Sequence, residues 1–245
     1  MRQAIQQIFV FLLSISSSLT TRWPPVSFSA DVETKQTIEH IFLFRCKENT
    51  DQATINYLIQ ELDNLRVIPG VLSLTTGPVN RLYSSSSPSL DFGIFFHSRF
   101  ETKEALDAYM HHPQHLKLNH DLTDPLLGDY MLIDWVYYHK GELAPPPGSA
   151  MRVTFLKLKQ GLNLVQKEKS EVFKVIGNNL GRSVEQYTYG ENFAIAAKGF
   201  SISSFAVFLD EEEMKRAGSC GELAKQLENE LNHLVESVLV IDYVV

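Results

Sequence analysis

The sequence predicts an α+β fold in which two ferredoxin-like β-α-β-β-α-β repeats pair sheet to sheet and close a barrel within one chain. Three observations predict it. A Pro/Gly stretch, Leu143-Ala-Pro-Pro-Pro-Gly-Ser149, divides the chain and reads as a stiff linker. The same order of strand-like and helix-like patterns recurs on its two sides. The third strand of the first repeat is apolar on both faces: Phe92, Ile94, Phe96 and Phe100 fall to one side, Phe95 and His97 to the other. A sheet of this kind is covered on one face by its own helices, so the second face needs another sheet. The tethered repeat supplies one at high effective concentration. A second chain would serve the same purpose, so a homodimer stays open beside this internal pseudo-dimer. The expected boundaries are a leader over 1–36, a first domain over 37–139, a linker over 140–150 and a second domain over 151–245.

The elements follow in order. His40-Ile-Phe-Leu-Phe-Arg-Cys-Lys47 opens the first repeat and matches Arg152-Val-Thr-Phe-Leu-Lys-Leu-Lys159 in the second. A helix over Asp51 to Leu65 carries Ile55, Leu58, Ile59, Leu62 and Leu65 on one face of period 3.6. Asn49 with Gln52 offers its capping box, and Pro69-Gly70 stops it. The counterpart helix runs from about Leu164 to Asn179. Val71 to Gly77 and Val184 to Glu191 are short alternating strands. Phe92 to Phe100 stands opposite Ser204 to Leu209, and each leads into a second helix. In the second repeat that helix starts at the acid run Asp210-Glu-Glu-Glu213, a solvated start that the helix dipole favours. Leu132-Ile-Asp-Trp135 and Val240-Ile-Asp-Tyr243 close the two repeats.

Composition bounds the chemistry. The 245 residues are 44% hydrophobic, enough for a packed core, which excludes a disordered or collagen-like protein. A formal net charge of −7 argues against nucleic acid or an anionic membrane as partner. Cys46 and Cys220 are too few and too far apart for a disulfide framework or a thiolate zinc site, and read as core thiols. The first thirty residues hold Arg2 and Arg22, no acid, many hydroxyls and a short apolar run from Ile8 to Leu13. That run falls well below the roughly 20 residues that span a bilayer. The pattern is that of a transit peptide to a plastid or another organelle. A secretory signal, or a leader kept on a cytoplasmic or peroxisomal protein, is the alternative.

Seven of the eight histidines lie in the first repeat, with His111, His112, His115 and His120 close behind Tyr109. A purely structural reading is available: Tyr109 shares a helix face with Ala105 and Leu106, and His115, just after Pro113, can satisfy loop carbonyls. A zinc site is disfavoured, because Pro113 interrupts the helix that would align His111 with His115. A functional reading uses strand alternation, which puts His40, Phe42, Phe44 and Cys46 on one face. If that face meets the helices, His40 points into an apolar space closed by Tyr109 and His115. A neutral imidazole and a phenol there can take a proton next to a carbonyl and hold the enolate.

The segments Glu39-His-Ile-Phe-Leu-Phe-Arg-Cys-Lys47, Phe100-Glu-Thr-Lys-Glu-Ala-Leu106, Tyr109-Met-His-His-Pro-Gln-His115 and Met131-Leu-Ile-Asp-Trp135 together resemble the plant stress-response A/B barrel (dimeric α+β barrel) family. The resemblance covers about 37–139. The second copy resembles the fold but lacks the His-Pro-x-His box, so the whole chain resembles the tandem members. Carried over from the polyketide cyclases of this family, the general-base histidine falls at His115, the catalytic tyrosine at Tyr109 and a pocket histidine at His40. A further pocket histidine falls at Ile94, which makes this pocket less polar. The resemblance also implies Mg2+ on the backbone carbonyls of Leu65, Ile68 and Val71, while no cofactor is required. In the second copy Arg152 replaces His40, Gly218 stands near the place of Tyr109, and Ser219-Cys-Gly221 replaces the histidine box, so that copy reads as a packing partner. Two functions are compatible with these residues. One is binding of a small apolar or aromatic ligand, or of a protein partner, without catalysis. The other is a cyclase-like lyase acting on an enolisable substrate, with His115 as base and Tyr109 as acid.

Overall fold

The computed structural model describes residues 34–85, 90–139, 143 and 145–244. The first repeat forms β1 (Lys35–Cys46), α1 (Gln52–Asp63), β2 (Val71–Pro78), β3 (Arg81–Ser84), β4 (Ile94–Phe100), α2 (Lys103–Met110), α3 (Pro113–Leu118) and β5 (Leu127–His139). The second forms β6 (Ala150–Leu158), α4 (Gln166–Asn179), β7 (Val184–Glu191), β8 (Phe200–Phe208), α5 (Glu211–Arg216), α6 (Cys220–Glu230) and β9 (Val235–Val244). Two antiparallel sheets result, ordered β2-β4-β1-β5 and β3-β9-β6-β8-β7. Leaving β3 aside, each has the strand order of a ferredoxin-like unit.

Alternation distributes the side chains into three layers. Ile41 and Leu43 of β1, Met131, Ile133 and Trp135 of β5, and Phe95 of β4 turn toward the other sheet. They pack there on Met151, Val153, Phe155, Phe205, Leu239, Ile241 and Tyr243. The opposite faces receive the helices: Leu58, Leu62, Leu106 and Tyr109 on the first sheet, Val172, Ile176, Leu223 and Leu227 on the second. At the two seams a large ring of one half lies on a glycine of the other. A Cβ on Gly190 would sit 2.7 Å from Trp135 Cδ1, and one on Gly77 would sit 3.1 Å from Tyr243 Cε2. Glycine is what lets the rings close those corners.

Several expectations are corrected. β1 begins at Lys35, inside the expected leader, and β6 begins at Ala150, the last residue of the expected linker. The leader through residue 33, with its targeting pattern, lies outside the described residues, as do linker positions 140–142 and 144. The cap of α1 is Asp51, whose carboxylate accepts from Thr54 N at 2.8 Å. Asn49 instead takes the left-handed conformation, φ 72°, that turns the chain into the helix. Phe92 belongs with the barrel interior and not with Ile94, because β4 begins only after Gly93 and alternation does not extend back across it. Cys220 is buried, but Cys46 is only half-buried. No expectation covered β3, which leaves the first sheet and pairs with β9 in the second, Arg81 opposite Asp242 and Ser84 opposite Leu239.

Candidate functional site

The site lies between the first sheet and its helices. On β1 His40 faces the helices, and in register across the sheet it stands between Ser98 of β4 and Asp134 of β5. Lateral neighbours on one face are close enough to bond. His40 Nδ1 donates to Asp134 Oδ1 at 2.7 Å, and both side chains are buried. This bond fixes the tautomer and leaves Nε2 as the acceptor. The His40 ring lies edge-on to Phe96, Phe100 and Tyr109, with ring centroids 6.1 to 6.2 Å away.

Tyr109 reaches this place because α2, capped by Thr102 accepting from Ala105 N at 3.1 Å, turns Leu106 and Tyr109 inward. His111 ends that helix. Pro113 then starts α3, a position where its missing N–H costs nothing, and the N-cap His112 side chain accepts from Gln114 N. The new helix carries His115 back inward, its ring centroid 4.7 Å from that of Tyr109. His115 Nδ1 donates to Met110 O at 3.0 Å, so Nε2 is the bare nitrogen, with Asn119 Nδ2 at 3.3 Å from it. Burial pushes the His115 imidazole down to about 4, so it is neutral at physiological pH. Burial also raises the Tyr109 phenol far above its ordinary value. Tyr109 Oη has no hydrogen-bond partner, and neither has Ser98 Oγ beside His40.

His40, Tyr109 and His115 are thus brought together. The rest of the histidine box is not: His111 bonds the carbonyl of Asp107 at the surface, and His120 projects outward beside Asp121. Among the described residues no group of three or more His, Cys, Asp or Glu side chains converges as a metal site. The carbonyls of Leu65 and Ile68 each already accept a backbone N–H, from Ile68 at 3.1 Å and Val71 at 3.2 Å. They offer a cation one neutral lone pair each, a poor match to Mg2+, which is bound mostly through carboxylates, phosphates and water.

Asp134 and Ser98 were missed as site residues. The available signal was a carboxylate inside an apolar closing strand, repeated in the second copy as Asp242. There Arg152 replaces histidine and fills the space with a fixed ion pair. Its Nε and Nη2 donate to the two oxygens of Asp242 at 2.7 and 2.9 Å, and Nη2 also donates to Gly218 O at 2.8 Å. The guanidinium is permanently charged and accepts nothing, so Arg152 offers no base in the place of His40. A second unforeseen cluster lies inside the barrel. Glu39 accepts from His97 Nε2 at 2.6 Å, Arg99 Nε at 2.9 Å and, across the barrel, Thr188 Oγ1 at 2.8 Å. Burial alone would raise the Glu39 carboxyl, but Arg99 and His97 outweigh it and hold the group at about 2.

The family model described as Stress responsive A/B Barrel Domain matches residues 38–137. A stress-response A/B barrel domain-containing protein of Arabidopsis thaliana is 36% identical over 221 residues, 89% of this chain and 82% of that relative. A second protein of the same description and plant is 31% identical over 209 residues, 84% of this chain and 95% of its own length. Among solved structures, a candidate monooxygenase from Fusobacterium nucleatum aligns with TM-score 0.57 at 12% identity, covering 86% of this chain and 93% of its own. One from Lactobacillus acidophilus aligns with TM-score 0.52 at 15% identity, covering 86% and 94%. These two show that the paired-repeat fold is shared, and nothing about activity. With a relative more than one-third identical along most of both sequences and a family match on the repeat that carries the site, the chain belongs to the stress-response A/B barrel family.

Proposed function

We propose that the first repeat binds a small apolar or aromatic ligand bearing a carbonyl-type oxygen, between its sheet and helices, without turnover as the primary role. The observation that carries this reading is Tyr109 Oη, buried and unpartnered beside His40 and His115. A buried hydroxyl without a partner costs about 1–3 kcal/mol, which an acceptor on a ligand relieves. Ser98 Oγ adds a second unmet donor, and Phe96 and Phe100 supply apolar walls. Thermal melts of the full chain with acetophenone and with benzoylacetone test it. Both should raise the Tm of the wild type and raise that of Tyr109→Phe less. Equal shifts in the two proteins, or none in the wild type, would refute the reading.

A second reading, enolisation of the ligand, is favoured by the Asp134–His40 pair. A bare imidazole nitrogen, His115 Nε2 or His40 Nε2, would take the proton α to the carbonyl while Tyr109 O–H donates to the enolate oxygen. His115 at about 4 is a weak base near neutrality, which is why binding comes first. Enzyme-dependent deuterium incorporation into the methyl group of acetophenone, lost in His115→Ala or in His40→Ala according to which imidazole is the base, would support this reading.

Two further proposals concern the periphery. A magnesium ion at Leu65, Ile68 and Val71 would be a structural ion of the turn after α1, completed mainly by water; its signature is a Tm that falls with EDTA and recovers with added Mg2+. The first thirty residues, basic and acid-free, would direct the chain to a plastid or another organelle, which fluorescent fusions with and without residues 1–30 test.

A further inference from the structure

The second repeat lacks the histidine box, yet it touches the first repeat's site at one defined point. At the seam between the halves, the segment that follows β7 runs along the free edge of β5, the strand that carries Asp134. Phe193 N donates to Asp134 O at 2.9 Å, and Asp134 N donates to Asn192 Oδ1 at 2.9 Å. The peptide on both sides of the Asp134 Cα is therefore held by the other half. Asn192 is itself immobilised: its Oδ1 also accepts from Ala194 N at 3.0 Å, its Nδ2 donates to Ala194 O at 2.9 Å, and its backbone N donates to Ser201 O at 2.9 Å. The same segment reaches the helix that bears Tyr109, because Lys103 Nζ lies 4.0 Å from the centroid of the Phe193 ring.

The opposite seam holds its aspartate in a different way. There Asn80 N donates to Asp242 O at 3.0 Å, the counterpart of the Phe193 bond, but Asn80 Oδ1 accepts from Val244 N at 2.9 Å and not from the aspartate. Both seams hold the carbonyl of the aspartate. Asp242 also stands directly opposite Arg81 in the β3–β9 ladder, so a strand backbone holds it, whereas at the seam over the histidine-bearing site a side chain, that of Asn192, takes the N–H of Asp134.

We propose that Asn192 is a positioning residue of the first repeat's site, so that the second repeat, beyond covering the sheet, sets the Asp134 carboxylate against His40 Nδ1. A carboxylate is aimed by its backbone: a strand edge free to twist carries the oxygen away from a 2.7 Å bond, whereas a peptide bonded on both sides does not. This holds whether the site binds or catalyses, because what Asn192 controls is a bond within the protein.

The test is NMR of the 15N-histidine-labelled full chain, following the downfield Nδ1 proton of His40, assigned by its loss in Asp134→Asn. In Asn192→Ala the resonance should broaden or vanish. In Asn192→Asp, which keeps an acceptor oxygen for Asp134 N, it should persist. In Tyr243→Phe, which removes the Tyr243 bond to Thr76 O at the opposite seam, it should also persist, whatever stability is lost. A resonance unchanged in Asn192→Ala overturns the proposal. One lost in Tyr243→Phe as well overturns it too, since general loosening of the barrel would then explain the effect. Should Asn192→Ala not fold, Asn192→Gln, which displaces the amide by one methylene, takes its place under the same criteria. No ligand enters the measurement, so its failure is distinct from a failure of the binding reading.

Discussion

Acid should destabilise this protein through His115, and the size of the effect can be worked from its environment. An unfolded histidine titrates near 6.5, whereas burial holds His115 at about 4 in the fold. Between those values the unfolded chain takes up a proton that the folded one refuses, so stability falls as the pH is lowered from 6.5 toward 4 and levels off below. At about pH 5 the unfolded group lies about 1.5 pH units into its titration and the folded one is still neutral. At about 1.4 kcal/mol per unit, the loss relative to pH 7.5 is about 2 kcal/mol from this residue alone. The perturbation is His115→Asn, which keeps a side-chain N–H for Met110 O but does not titrate. Urea unfolding of both proteins at about pH 7.5 and about pH 5 isolates the contribution, because every other group titrates in both. The wild type should lose about 2 kcal/mol more than the variant over this interval. Equal losses would mean that His115 is not held neutral by burial, and with that the argument for a dry site around Tyr109 would fail.

Other substitutions probe the remaining features. Glu39→Gln leaves Arg99 buried without its counter-charge and should cost about 3–5 kcal/mol by chemical denaturation; in the wild type the Glu39 contribution is complete above pH 4.5 and is lost as the pH falls through about 2. Gly190→Ala drives a methyl into Trp135 and should cost about 1–3 kcal/mol, visible as a lower Tm with quenched or shifted tryptophan fluorescence. Arg152→Met leaves the buried Asp242 carboxylate with Arg81 Nη1, 3.9 Å away, as its remaining cation and should destabilise by about 3 kcal/mol, while the double variant Arg152→Met, Asp242→Leu should recover most of that loss.

What was legible in the sequence was whatever periodicity encodes. Alternation on β1 put His40 with Phe42 and Phe44 on the helix face, and that is where they lie. The helix pattern put Tyr109 on an inward face and Pro113 at the end of that helix; the new short helix that Pro113 starts, which carries His115 back inward, was not legible there. Periodicity assigns a face, however, and not a partner. Asp134 was visible as a carboxylate among apolar residues, but that it bonds His40 depends on which strands are adjacent and in what register. Glu39 and Arg99 share the barrel face with Ile41, where a sequence reading expects only apolar contacts; the Glu39 bonds to His97 and Arg99 depend on the register of the first sheet, and its bond to Thr188 exists only once the two halves have met. β3 was invisible for a related reason. Four residues carry too little pattern to register, and the strand they pair with belongs to the other repeat.

That strand also constrains how the protein comes to be made. Ser85, at the end of β3, bonds Val238 of β9, 153 residues further along the chain. On the ribosome the first repeat is finished long before β9, the last strand of the second, has emerged. During that interval β3 has no ladder to join and β5 has no seam to cover its edge, so two lengths of unpaired backbone wait in the open. Contacts of such sequence separation form late and slowly, and the half-made molecule is therefore the form most exposed to aggregation. For a member of a stress-response family, the demand for protection falls on the nascent chain, in the time between the first sheet and the last strand.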